Sequence, residues 1–374
     1  MNESRSYKNF KNLSLRRIKS EVKKIKKDFP IESQSLITYS KNFTLSLSNY
    51  CQNFCGYCFY NSKIPKLTGP GNVIILGNEE MISLVQKGLQ FNCKEALLMS
   101  GEKPDSFQIV KDELEKVNCK DFLDFVKDVC NYLLDFKLLT HTNIGFLTFD
   151  QIKELKNYSA SMGLMLESTS KKLFKKGGVH ELSPGKTPKN RIEHIRNAGK
   201  LKIPFTTGLL LGIGESFEDR VKDLKLIRKI HEEFGHIQEV IIQNYVKKEN
   251  ILYQPQKLMP IEEMLKVVGI AKLIFGNEIS IQVPPNLIIG YEEDFIDVGI
   301  NDFGGISPFA LDYINPEKEW PQIDYLKRIC KGKGYKLKER LPIYDKFINK
   351  NGFCPDNIKK IIDYISIYDH DADI

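Results

Sequence analysis

Three cysteines crowd into the stretch CQNFCGYCFY, residues 51 to 60: Cys51, Cys55 and Cys58, at C-x3-C-x2-C spacing. Thiols this close can cross-link, ligate a metal or do redox chemistry. Structural zinc asks for four closed ligands, commonly from two C-x2-C knuckles, and neither a second knuckle nor a finger-spaced His follows. A disulfide fits neither the spacing nor a chain of 374 residues, which can bury a core without staples. The other five cysteines, Cys93, Cys119, Cys130, Cys330 and Cys354, sit singly among apolar residues, as buried thiols do. An electron-transfer iron–sulfur cluster normally takes four Cys. Three thiolates from one short loop would leave one iron without a protein ligand, and an open metal position is where a substrate or cofactor binds.

Such a loop needs a scaffold that presents it, and the rest of the chain reads as alternating strands and helices. Candidate strands are 42–49, 95–100, 136–142, 161–167, 203–212, 237–245 and 278–284, with a weaker one at 295–301. Helical patterns fall between them at 78–90, 107–118, 148–157, 216–234 and 261–275. The strands are mostly continuous apolar runs, as in a parallel sheet covered by helices on its outer face. Eight such repeats fit a (β/α)8 barrel of the TIM type. A doubly wound sheet is the alternative, but no G-x-G-x-x-G follows the first strand. In a barrel the catalytic groups lie at the C-terminal ends of strands, and the unusual residues fall there. The cysteines follow the first strand, SGEKPD (100–105) the second, and HTNIG (141–145) ends the third. The motifs ES (167–168), GIGES (212–216), QNY (243–245), VPPN (283–286) and NDFGGISP (301–308) continue the series.

The 41% hydrophobic and 28% charged content is that of a globular protein. No run reaches the roughly 18 apolar residues of a membrane span, and the N-terminus lacks the apolar segment of a secretory signal, so the expected location is cytoplasmic. Net charge is +7, and residues 1–30 alone hold ten Lys or Arg against Glu3, Glu21 and Asp28. A basic arm can bind nucleic acid, but no aromatic-rich pattern accompanies it, which favours a partly helical leader packed along the body. The expected organisation is a basic N-terminal extension (1–38), a barrel (39–310) and a C-terminal extension (311–374) with helices at 321–332 and 355–368.

The Cys triplet, with Tyr57 before its last thiol, resembles the radical S-adenosylmethionine (SAM) superfamily. That resemblance implies a 4Fe–4S cluster held by Cys51, Cys55 and Cys58, whose open iron chelates SAM and whose electron releases a 5′-deoxyadenosyl radical. SGEKP is similar to the superfamily's Gly-Gly-Glu motif, with Ser100 in place of the first Gly, so Gly101 and Glu102 carry over. Glu167 matches a strand-four SAM contact, GLLLGIGES with Gly212 resembles the segment beside the adenine, and Tyr57 joins these SAM candidates.

The ordered motifs CQNFCGYCFY, HTNIG, MGLMLES, VHELSPGKTP, QNYVKK, VPPNL, NDFGGISP and ERLPIY resemble, over residues 40–345, the G-type subunit family of 7,8-didemethyl-8-hydroxy-5-deazariboflavin synthase. Departures are Phe59-Tyr60, where Thr-Phe is commoner, and Phe303, where a Trp is common. The implied reaction takes a hydroxybenzyl–ribitylimino-uracil adduct, supplied by a separate H-type subunit, abstracts a hydrogen, closes the central ring and releases ammonia. An external electron donor is implied as well. Asn143, Gln243, Asn244, Asn286, Asp302 and Ser307 are the candidate substrate contacts, and His141 or His180 the candidate proton acceptor. SPGK (183–186) lacks Walker spacing and reads as a loop or lid. Rival expectations are the H-type sister subunit, a biotin-synthase-like barrel, and a non-enzymatic electron-transfer protein.

Overall fold

A computed structural model describes residues 10–27, 35–64, 71–248, 251–255 and 258–370. Nine parallel strands form one sheet in the order β2-β3-β4-β5-β6-β7-β8-β1-β9, and a further β1–β2 pairing closes the first eight into a barrel. They are β1 (Leu36–Ser48), β2 (Glu95–Ser100), β3 (Leu139–Asn143), β4 (Ser161–Gly163), β5 (Phe205–Leu211), β6 (Ile237–Asn244), β7 (Ser280–Gln282), β8 (Asp302–Ile306) and β9 (Lys336–Glu339). β1 is the hub. Its first part pairs with β8 and β9, and Asn42–Ser48 pairs with β2.

Helices cover the outside because the strands' outward residues are apolar. Phe43, Leu45 and Leu47 of β1 are buried beneath them, as are Ala96 and Leu98 of β2. Local signals set the helix ends. Ser216 and Asp219 form a capping box at the start of Phe217–Phe234, and Gly235 ends that helix with φ +62°. Thr148 and Gln151 do the same for Phe149–Leu155.

The basic leader is helical where it is described, over Leu15–Lys27. Ile18 and Val22 are fully buried. A side chain at Gly269 of helix Ile261–Phe275 would lie 2.2 Å from Ile18, so glycine there permits the close approach. Lys19 is paired with Asp294 and Asp297, and Lys11 with Glu218. The rest of the basic segment, residues 1–9 and 28–34, lies outside the described residues.

The eighth strand is not where its sequence suggests. Residues 295–301 were expected to be extended, but Glu292–Asp297 is a short helix that buries Phe295 and Ile296 and ends before Gly299 at φ +107°. The strand is Asp302–Ile306 instead. Its sequence, DFGGI, looks like a loop because two glycines occupy it. Side chains there would run into Gln282 and Asn42, at 1.9 and 2.1 Å, so the glycines make room for polar groups inside the barrel. β4 is also shorter than expected. After Gly163 the chain leaves regular pairing and rejoins only as a bridge between Glu167 and Leu209. Two further helices, Phe122–Asp135 and Pro188–Lys200, complete the outer layer.

Candidate active site

The cysteine loop leaves the C-terminal end of β1 and is tied down on every side. Asn61 donates to the carbonyls of Cys51 and Asn53, at 3.2 and 2.9 Å. The Phe54 and Gly56 amides donate to Leu182 and Val179, and the Gly185 amide donates to Asn53 Oδ1 at 2.8 Å. SPGK is therefore a fixed wall of this loop rather than a free lid.

Each of the three sulfurs accepts a hydrogen bond. Cys51 Sγ receives the amides of Glu102 (3.1 Å) and Asn53 (3.4 Å), Cys58 Sγ that of Asn61 (3.3 Å), and Cys55 Sγ the hydroxyl of Ser183 (3.3 Å). Donors aimed at sulfur favour the thiolate. Burial works the other way, pushing Cys51 up and Cys55 to about 12. Thiols on one loop with donors pointed at their sulfurs are stabilised as thiolates by a cation, and metal ligation deprotonates them outright. Among the described residues no three His, Cys, Asp or Glu side chains close on a single metal ion. Three sulfur donors on one loop are one short of a closed zinc site and fit a cluster that keeps one iron open.

Glu102 is the keystone beside the loop. Its carboxylate accepts from Gln52 Nε2 (2.8 Å), the Phe146 amide (2.9 Å) and Arg191 Nη2 (3.3 Å), and both members of the ion pair are 3% exposed. Burial pushes this carboxyl up, but Arg191, the Phe146 amide and Gln52 outweigh it and hold the group below its ordinary value. The side chain is thus already engaged, and Glu102 presents its backbone to the loop. Gly101 packs so tightly that a side chain would lie 2.0 Å from the Tyr50 carbonyl. Glu167, at φ +62°, pairs with Lys186 at 2.6 Å. Asp223 then grips the next two residues, accepting from Ser168 Oγ (2.9 Å), the Thr169 amide (3.0 Å) and the Thr169 hydroxyl. Gly212 has φ +87°, and Glu215 accepts from the amides of Gly212 and Ile213 to set the turn.

The two histidines differ in placement. His180 Nε2 lies 3.0 Å from the Tyr57 hydroxyl, with Phe174 against its ring. Burial, reinforced by Lys186 and Arg191, drives it to about 2, so it is a neutral support for Tyr57 and a poor base. His141 lies inside the barrel on β3, and burial lowers its pKa as well. Its Nδ1 is 2.7 Å from Ser161 Oγ, whose proton goes to the Pro342 carbonyl at 2.8 Å. The hydroxyl must then accept from His141, which puts the proton on Nδ1. That leaves Nε2, on the Gly163 side of the ring, as an acceptor.

A cavity of about 200 Å³ fills the barrel interior. His141, Asn143 and Gln243 line it. Asn244, Asn286, Asp302 and Ser307 do not. Asn244 follows Gln243 on the strand and faces the other side. Asn286 instead holds the loop after β8 through Asp312 (3.1 Å) and the Lys318 carbonyl. Ser307 accepts from the Ala310 amide in a turn. Asp302 opens β8 rather than following it, so it lies at the N-terminal end of the barrel, bound to Arg340 (2.6 and 2.9 Å) and Thr38. Its expected position on the rim is corrected. The lining residues Glu95 and Glu239 escape sequence reading, since strand-interior charges carry no motif, and Arg340 is legible only as part of ERLPIY, with no role attached.

A parallel eight-stranded barrel with a three-thiol loop on its first strand defines a radical SAM enzyme, and residues 45–227 match the family model described as the radical SAM superfamily. The fold is similar to that of the FeFe-hydrogenase maturase HydG from Carboxydothermus hydrogenoformans (TM-score 0.68, 16% identity, 94% of this chain and 76% of that one). It is likewise similar to methylornithine synthase, PylB (TM-score 0.64, 17% identity, 90% of this chain and 94% of that one). In sequence the chain is 46% identical over 331 residues to the 7,8-didemethyl-8-hydroxy-5-deazariboflavin synthase of Methanococcus vannielii, covering 87% of this chain and 90% of the relative. It is 45% identical over 328 residues to the synthase of the same name from Methanocaldococcus jannaschii, with 87% and 89% covered. The chain belongs to the 7,8-didemethyl-8-hydroxy-5-deazariboflavin synthase family. Membership implies a 4Fe–4S cluster and SAM. No helix among the described residues is long and apolar enough to cross a membrane.

Proposed function

We infer that this chain closes the central ring of 7,8-didemethyl-8-hydroxy-5-deazariboflavin from the hydroxybenzyl–ribitylimino-uracil adduct, acting as an ammonia-releasing lyase. The observation that carries the reading is the shared location of two features in a chain of this family. The hydrogen-bonded thiol loop and the cavity-lining residues Met99, Asn143 and Gln243 all lie at the C-terminal ends of strands. Cys51, Cys55 and Cys58 would hold the cluster. The turns around Gly101, Glu167 and Gly212, with Tyr57, would seat SAM. When bound, these groups supply a hydrogen-abstracting carbon radical.

The chain's own residues do the rest. The barrel walls exclude water from the reacting centre. Asn143 and Gln243 offer amides to the substrate at the upper cavity. His141 Nε2, unprotonated and held by Ser161, can accept the proton that aromatisation releases. His180, held neutral, keeps Tyr57 in place. The adduct would come from a separate H-type enzyme, electrons from an external donor, and the setting would be the cytoplasm.

The test is run without oxygen. Protein reconstituted with iron and sulfide is reduced with SAM present, with and without the adduct, and 5′-deoxyadenosine and deazaflavin fluorescence are followed. Nucleoside that rises with the adduct, together with fluorescence, supports the reading. Nucleoside without fluorescence removes the proposed substrate, and a cluster-loaded protein yielding no nucleoside removes the chemistry.

A further inference from the structure

The closed end of the cavity is built from charge. Inward-facing residues alternate along each strand: Glu95, Leu97 and Met99 on β2, and Glu239, Ile241 and Gln243 on β6. The lowest layer gathers Asn42, Glu95, Glu239 and Arg340 beneath an apolar waist of Leu97 and Ile241. Asn42 (3.3 Å) and Ser40 donate to Glu95. Arg340 donates to Glu239 Oε2 at 3.2 Å and to both oxygens of Asp302. Glu239 is 3% exposed, and its Oε1 has no hydrogen-bond partner.

Two carboxylates, those of Glu239 and Asp302, thus share the Arg340 guanidinium, and Glu95 stands beside them held by Ser40 and Asn42. An unpaired buried acceptor is costly, and a ligand donor recovers that cost. The floor is rich in acceptors and anionic, so it selects neutral O–H groups and rejects phosphate or carboxylate. Burial, with Asp302 and Glu95 opposing Arg340, lifts Glu239 to about 8. It can therefore donate to a hydroxyl as well as accept from one. Two residues of strand separate Glu95 from Leu97, about 7 Å, which is enough for an extended five-carbon chain of roughly 5 Å.

We propose that this floor is the receptor for a linear polyhydroxy chain with a free terminal hydroxyl, the ribityl chain of the substrate, so that the heterocycle is held above it at the waist and mouth. The proposal rests on the ring-closing reading for the identity of the chain's owner. It moves substrate recognition from the rim to the base of the barrel. It also assigns Glu95 and Glu239 as specificity-determining residues.

Trp320, the single tryptophan of the chain, lines the same cavity, and its buried Nε1 also lacks a partner. It serves as a reporter of occupancy. Calorimetry and Trp320 fluorescence on the reconstituted protein with SAM would compare three probes. They are the ribitylamino-uracil, an analogue with methyl in place of the ribityl chain, and the terminal phosphate ester.

The expected result is binding about 30-fold weaker for the methyl analogue and at least about 100-fold weaker for the ester. Glu95→Gln should then recover about tenfold of the ester's affinity. Equal affinity for all three probes on the wild-type protein overturns the proposal, whether or not the variants fold. Deazaflavin formation by the same preparation keeps the two ideas separate. Fluorescent product with no discrimination among probes leaves the reaction and removes the receptor. Discrimination without product keeps the receptor and removes the reaction.

Discussion

Replacing Arg191 with Met tests whether the ion pair beside the thiol loop organises it. Arg191 and Glu102 are each 3% exposed, and the contact is a single Nη2–Oε2 bond of 3.3 Å, with Arg191 Nε buried and unpartnered. Removing one member of a buried pair costs about 3–5 kcal/mol because the other charge is stranded. The single long contact, and the bonds Glu102 keeps to Gln52 and Phe146, argue for the lower end, about 3 kcal/mol. The pH dependence has a definite sign. Glu102 is held below its ordinary value of 4.5, so its contribution is complete above that pH and is lost as pH falls through the depressed folded value. Without Arg191, burial dominates and the folded carboxyl rises instead. The variant's deficit should therefore be largest near pH 7.5 and shrink by about 1.4 kcal/mol per pH unit once the carboxyl protonates. Urea unfolding of both proteins from pH 7.5 to 4.5 measures this. A deficit below about 1 kcal/mol, or one that stays flat with pH, would refute the view that Glu102 is an ionised keystone.

Three further outcomes follow from the same geometry. Gly185→Ala puts a methyl 1.4 Å from Glu102 Oε1, so that carboxylate must move. Stability should fall by about 2 kcal/mol or more, and iron bound per chain should fall after reconstitution, both measured against wild type. Asp223→Ala strands the Thr169 amide and the Ser168 hydroxyl next to Glu167, and should cost about 2–3 kcal/mol by urea unfolding while weakening SAM binding. Burial lowers His194 and His236 to about 3 and His231 to about 4. Their stabilisation is complete above the unfolded value of about 6.5 and is lost as pH falls through the folded values, at up to about 1.4 kcal/mol per pH unit each. His236→Gln should remove one histidine's share of that slope, and an unchanged slope would contradict its neutral burial.

The chemistry was legible where it was local and the barrel where it was apolar. A triplet such as Cys51, Cys55 and Cys58 needs no distant partner to be recognised, and β2 and β6 carry short apolar runs, at 96–99 and 240–242, whose strand ends were visible to within a residue or so. The eighth strand was hidden because its residues answer to other side chains. Gly304 and Gly305 are small so that Gln282 and Asn42 can occupy the interior. Helix Pro188–Lys200 was hidden for a related reason: the face it buries carries Arg191, His194 and Asn197, which spoils an apolar stripe.

The same reasoning explains why the charged floor of the barrel went unread. A strand that turns alternate residues inward looks hydrophobic from outside and gives no sign of what its other face carries. Glu95 and Glu239 read as the solvated starts of strands, since a carboxylate at a strand's first turn is ordinarily at the surface. Glu95 is held inside by Ser40 and Asn42, and Glu239 by Arg340, which follows β9 about a hundred positions later. β9 exists only by pairing with the first part of β1, and Pro342 and Leu341 beyond it supply the carbonyls that hold Ser161 and Arg340. One short strand outside the barrel thus sets both the charge of the floor and, through Ser161, the tautomer of His141. A chain truncated before residue 335 should therefore lose discrimination among polyhydroxy probes even if the thiol loop still takes up iron, because the two ends of the barrel are held by different parts of the chain.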